Sequence, residues 1–322
     1  MAPGFRRWLW IALRLLVAAA CIAYLARQVY EVSREMSLVE WLPASAFLFA
    51  CLAAPVFAAT AWLLALAWRV LLRALGQDVR LSALARTLFL TQPAKYLPGN
   101  IGHHVGRVAL ARRTLQIPVG TCIASLMQEG ALLCLAAMLT ALACVMLQPW
   151  PIPSLASTGW ESGAPWLLAA AIAAGLLALA VVNAWRRSRH VPRVRGMRWL
   201  LDAAPSWPTT LRASPWYMAT SLLNGAGLML LALPLLDSTS GLFLPLTAAF
   251  ALSWVIGFVV PGAPGGLGVR EAALVLLLEG VLPRETVLAI ALMSRLSMTL
   301  ADALIFLSGL ALPKPPQLTS PA

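Results

Sequence analysis

The stretch VVPGAPGGLGVREAAL, Val259 to Leu274, concentrates residues suited to holding an anion. Gly262, Gly265, Gly266 and Gly268 have no side chains, so their backbone N–H groups can face a ligand. A helix starting near Val269 would aim its positive end at the same point. Arg270 adds a planar fork of donors that matches a phosphate. The plainer alternative is that these glycines serve only tight turning and packing. A second stretch, KYLPGNIGHHVGR, Lys95 to Arg107, offers Lys95, Asn100 and Arg107 for a second anionic group, or for the same one approached from another side. Interfacial snorkelling is the competing use for Lys95 and Arg107. Its adjacent His103 and His104 should point apart on a helix, and the remaining histidine, His190, lies in a basic loop. No metal site is expected.

Other ionisable residues fall within long apolar runs, where they are costly and face a cavity or a partner. Gln128 and Glu129 share one run; Arg295 and Asp302 share another, seven residues apart and therefore on one helix face. Either Glu129 with Arg295, or Arg295 with Asp302, forms a buried ion pair; alternatively Glu129, Glu271 or Asp302 takes up a proton to drive or gate a transport step. Neither lysine sits in a Gly-Lys-Ser/Thr sequence, and HExxH and GxSxG are absent. We expect no catalytic residue and no cofactor.

The elements that must position these residues are membrane helices. Hydrophobic residues make up 61% of the 322 and charged residues 11%, well under the ~25% of globular chains. So apolar a chain needs lipid as its solvent, which excludes a soluble enzyme or nucleic-acid binder. The net charge of +12 comes almost wholly from arginines clustered between apolar runs. The five cysteines lie in apolar stretches without a C-x-x-C pair and read as packing residues. Six runs have the ~20 residues needed to cross a bilayer: about Leu9–Ala26, Ala44–Trp68, Val119–Leu147, Trp166–Ala184, Trp216–Leu236 and Val287–Leu312. Two regions are too short and are interrupted by Pro and Gly: Leu81–Leu90 leading into KYLPGN, and Leu246–Val260 leading through PGAPGG to Glu271–Leu282. These read as re-entrant or broken elements lining a cavity. That topology keeps the loop from Arg186 to Arg212 in the cytoplasm with both termini, as the positive-inside rule asks.

The two broken regions repeat one another. Pro98-Gly99, Gly102 and Arg107 have the spacing P-G-x2-G-x4-R, and Pro261-Gly262, Gly265 and Arg270 reproduce it 163 residues later. The same offset lays the spans of one half over those of the other. The expected fold is therefore an all-α polytopic membrane protein, a single integral membrane domain over residues 1–322. It has six full spans, two broken re-entrant elements and inverted repeat halves at 1–150 and 151–322. Pro/Gly-broken segments at matching positions of inverted halves are a transporter signature, with the binding site between the halves.

KYLPGN followed by Gly and Arg, then PGAPGGLGVREA, then ALMSRL at Ala291–Leu296, resemble the lysylphosphatidylglycerol synthase transmembrane family, also described as flippase-like. The resemblance covers nearly the whole chain. It implies a polytopic protein of the bacterial inner membrane, with Pro261, Gly262, Pro264, Gly265, Gly266, Gly268, Arg270 and Glu271 in the second motif. Pro98, Gly99 and Arg107 match the first, Glu129 the acidic position of the following span, and Arg295 the late arginine. His103 departs from the acidic residue that many members carry there. No soluble aminoacyl-transferase domain is expected in this chain, so synthesis of an aminoacylated lipid by it alone is not expected. The leading expectation is movement of an anionic, phosphate-bearing membrane lipid, a phospholipid or a polyprenyl-phosphate-linked one. The alternative is a non-transporting accessory subunit that partners a glycosyltransferase or a lipid-modifying enzyme.

Overall fold

A computed structural model describes residues 43–96, 102–148, 204–260 and 268–314, together with isolated helical positions within 26–30 and 169–184. The expected span Leu9–Ala26 and most of Trp166–Ala184 lie outside the described residues, as do Asn100, Gly262, Gly265 and Gly266. Among the described residues the protein is helical: α1 Ala44–Ala74, α2 Leu81–Thr91, a 3-10 turn Gln92–Tyr96, α3 Gly102–Leu115 and α4 Val119–Leu147. The second half follows with α5 Trp207–Ala232, α6 Phe243–Val259, α7 Val269–Leu278 and α8 Arg284–Ala311. By length and composition α1, α4, α5 (with its 3-10 extension to Leu235) and α8 are long and apolar enough to cross a membrane. This is a multi-pass membrane protein. At 1.5 Å per residue, α2 and α7 are only about 15 Å long, half of a ~30 Å hydrocarbon core. Each pairs with a second limb across a Pro/Gly break, as the sequence requires.

The helix ends have local causes. Gly76, at φ +79°, stops α1: its N–H bonds Arg73 O at 3.0 Å and the Gln77 N–H reaches back to Leu72 O at 2.9 Å. That closing motif needs the left-handed region, which glycine enters at no steric cost. Arg73 Nε then pins Asp78 at 2.8 Å, and this hydrogen bond holds the Asp78 carboxyl below its ordinary range. α5 starts earlier than its apolar run because Ser206 caps it, accepting the Thr209 N–H, and Pro208 occupies its first turn. Arg86, an unexpected charge in an apolar helix, donates to the carbonyls of Gly309, Leu310 and Leu312. It thereby satisfies the open C-terminal end of α8.

Helix contacts rest on small residues, as they do where no hydrophobic drive separates helix from lipid. Ala46, Ala50, Ala53 and Phe57 recur on one face of α1 and pack with Leu228, Leu231 and Ala232 of α5. A Cβ on Gly227 would sit 2.5 Å from the Phe57 ring, and one on Gly225 would sit 1.9 Å from Thr247 Oγ1 and 3.0 Å from its backbone Cα. Since the backbone of α6 blocks relief there, Gly225→Ala is expected to destabilise the protein by about 1–3 kcal/mol, the usual cost of overpacking. A lowered melting temperature in detergent reads this out, and an unchanged one refutes it.

Among the described residues, the helices before and after the midpoint follow the same order with matching neighbours. Ala44 plus 163 is the first residue of α5, and Leu115 plus 163 is the last of α7. The packing of α1 on α8 is answered by α5 on α4, α2 on α8 by α6 on α4, and α2 on α3 by α6 on α7. The first limb of each broken element thus rests on the last helix of the other half.

Candidate functional site

Between these halves lies a cavity of about 260 Å³ reached by every helix named above except α2, and by the 3-10 turn. Its charged residues come from both broken elements and both last helices: Lys95 from the 3-10 turn, Arg107 from α3, Glu129 from α4, Arg270 from α7, Arg295 and Asp302 from α8. All six were singled out by sequence, and the fold brings them to one wall system.

Arg107 is 3% exposed, and its Nη1 donates to both Glu129 oxygens, at 2.9 and 2.7 Å. The guanidinium lies 5.0 Å over the Trp68 ring, whose Nε1–H is fixed by Ser125 Oγ at 3.0 Å. The sequence left Arg107 open between an anionic group and snorkelling at the interface. The Arg107 charge is instead already met by Glu129, on a helix face where Gln128 and Ser125 are also buried.

A second cluster ties both halves to α8. Lys95 Nζ donates to Asp302 Oδ1 at 2.7 Å, and the Tyr96 hydroxyl donates to Asp302 Oδ2. Arg295 Nη1 lies 3.6 Å from Glu271 Oε1, with its guanidinium 5.8 Å from the Tyr96 ring centre. These contacts replace both sequence-based pairings. Arg295 and Asp302 do share a face of α8, but Arg295 approaches Glu271, while Asp302 takes Lys95 and Glu129 takes Arg107. Glu271 also holds the start of its own helix, its Oε2 accepting the Gly268 N–H at 2.7 Å. Gly268, at φ +80°, is the N-cap of α7; having no side chain it supplies only the backbone half of a capping box, and its amide is taken by the Glu271 carboxylate, where the sequence suggested a ligand.

Arg270 is different. Its guanidinium sits 4.1 Å from the Phe250 ring centre, in cation–π range, and Nη2 is buried without a hydrogen-bond partner. It makes no ion pair with any described residue. Gly257 allows this placement: a Cβ there would come within 3.3 Å of Arg270 Cβ.

The sequence misjudged two wall residues and missed several others. His103 and His104 do not point apart; at the first turn of α3 their rings lie 3.8 Å apart, centre to centre, and both line the cavity. No group of three or more His, Cys, Asp or Glu that could hold a metal occurs among the described residues. Gln92, Ser221 and Asn224 add uncharged polar groups, and Phe57, Phe250, Trp254 and Phe258 add aromatic faces. Asn224 and Gln92 carried a signal, a polar side chain in an apolar stretch. The aromatics carried none, because an apolar residue in an apolar helix looks the same whether it faces lipid or cavity.

The family model described as "Lysylphosphatidylglycerol synthase TM region" matches residues 11–305. No curated protein matches the chain.

Proposed function

This chain belongs to the lysylphosphatidylglycerol synthase transmembrane family, and on that premise we propose that it moves an anionic, phosphate-bearing lipid across the bacterial cytoplasmic membrane without changing it chemically. Arg270 carries the reading. Of the four cations on the cavity wall, Lys95, Arg107 and Arg295 each have a carboxylate within 4.0 Å, and Arg270 has none among the described residues. A charge held in a low-dielectric site without a partner is expensive, and a ligand phosphate relieves that cost. The stacked Phe250 ring holds the fork in place between ligands.

A headgroup enters the cavity between the halves while its tails stay in lipid. Arg270 neutralises the phosphate, and rocking of the paired halves exposes the cavity to the other side. Glu129, Glu271 and Asp302 remain the groups through which a proton enters the cycle. Each is ion-paired, so protonating one releases a cation to the cavity and draws the phosphate further in. Both termini face the cytoplasm in this scheme.

Native mass spectrometry of the purified protein and of Arg270→Ala tests the reading. One phospholipid or polyprenyl phosphate enriched in the wild type and lost in the variant is the expected result. Bulk lipid alone, equal in both, overturns the carrier and leaves the accessory-subunit reading.

A further inference from the structure

The charges and the neutral walls of the cavity also constrain the headgroup. Four cations face three carboxylates across the cluster, counting Glu271 behind Arg295, which leaves one positive charge for the ligand to balance. None of the three carboxylates is open. Glu129 is spent on Arg107, Asp302 on Lys95 and the Tyr96 hydroxyl, and Glu271 on Arg295 and the Gly268 N–H.

An ammonium group can also be held by aromatic faces. Two of those faces already hold cations, and the others are paired with one another: Phe57 stacks on Phe250 and Trp254 on Phe258. Phe250 carries Arg270, and Tyr96 lies within 5.5 Å of Lys95 Nζ and 5.8 Å of Arg295. An ammonium entering the cavity would meet fixed positive charge with no free counter-charge among the described residues, an arrangement that disfavours ligands through repulsion.

What the cavity does offer is neutral. Ser221 and Asn224 lie three residues apart on α5, on one face, and Gln92 enters from the 3-10 turn. None of the three makes a side-chain hydrogen bond to another described residue. Side-chain amides both donate and accept, which suits hydroxyl groups that do the same. The Phe57 and Trp254 walls suit the C–H faces of a polyol or sugar.

We infer that the ligand is a phosphate carrying an uncharged, hydroxyl-bearing headgroup, of the phosphoglycerol or phosphosugar class, and that aminoacylated and zwitterionic headgroups are rejected. This rests on the proposal that Arg270 receives the phosphate. It departs from what the family's descriptive name suggests.

The test incubates the full-length protein with equimolar phosphatidylglycerol, phosphatidylethanolamine and lysyl-phosphatidylglycerol, and weighs the retained lipid by native mass spectrometry. Phosphatidylglycerol is expected to exceed each of the others about tenfold. Asn224→Ala and Gln92→Ala should each cut that preference severalfold, since each removes one neutral hydrogen bond to the headgroup. Asn224→Asp supplies a carboxylate and should raise retention of the two amine-bearing lipids. Equal retention of the amine lipids by the wild type overturns the inference, as does an Asn224→Asp variant with the wild-type preference. Loss of all lipid in Arg270→Ala alongside such equal retention would leave the phosphate reading standing and sink only the headgroup class. A soluble arm separates the sources. Heat protection by sn-glycerol 1-phosphate but not by phosphoethanolamine supports the same chemistry with a free phosphate; protection by the lipid alone supports it with a lipid; equal protection by phosphoethanolamine overturns it.

Discussion

Arg270→Ala is expected to lower lipid movement in reconstituted vesicles by about 10- to 100-fold while the protein still folds. A hydrogen bond to a charged group contributes about 1.5–3 kcal/mol, and each 1.4 kcal/mol is tenfold. Folding should survive because the side chain makes no ion pair with a described residue, so its removal strands no carboxylate. Loss of the stacking on Phe250 costs little beside the relief of an unpartnered charge. Arg270→Lys separates charge from geometry. Lysine keeps the positive charge but loses the planar fork and the stack, so activity between the two extremes is expected. Wild-type rates in Arg270→Ala would remove the residue from the transport path and with it the assignment.

The second large effect concerns the Arg107–Glu129 pair, and it falls on stability where the first falls on transport. Both side chains are nearly inaccessible, at 3% and 5% exposure. Removing one partner leaves a buried charge uncompensated, which costs about 3–5 kcal/mol. Glu129→Met and Arg107→Met should therefore each lower the melting temperature sharply. The double variant should recover much of the loss, because replacing both charges by apolar groups avoids the stranded one. It should also retain transport, with Glu271 or Asp302 left to take up the proton, since the pair neutralises itself and brings no net charge to the ligand. A double variant no more stable than either single one would contradict a self-contained pair. A stable double variant that moves no lipid would return Arg107 to the headgroup.

The contrast between these two arginines shows what the sequence could tell. Both occupy the same place in the repeated P-G-x2-G-x4-R pattern, and both were legible as cavity residues. Their different roles were not. Arg107 faces Glu129, but 163 residues later the position of Glu129 is held by Leu292, so Arg270 meets no such carboxylate. Partner choice is decided by helix packing across more than a hundred residues, as Lys95 with Asp302 shows. The long helices were legible because lipid imposes their length and composition. Their ends were less so: α1 runs past Trp68 to Ala74 because Arg69 and Arg73 continue the helix beyond the apolar run until Gly76 stops it. Broken elements announced themselves through Pro and Gly, yet the close approach of the His103 and His104 rings depended on the geometry of a first helical turn that spacing rules for helix interiors do not cover.

The exchanged packing of the broken elements has a mechanical consequence. Because α2 rests on α8, with Arg86 gripping the end of that helix, and α6 rests on α4, severing the chain at its midpoint would not release two self-sufficient bodies. Each fragment would lack the brace for the first limb of its own broken element. Displacing either last helix therefore drags a limb of the opposite fragment with it, so the two sides of the cavity are geared to one another and cannot swing independently.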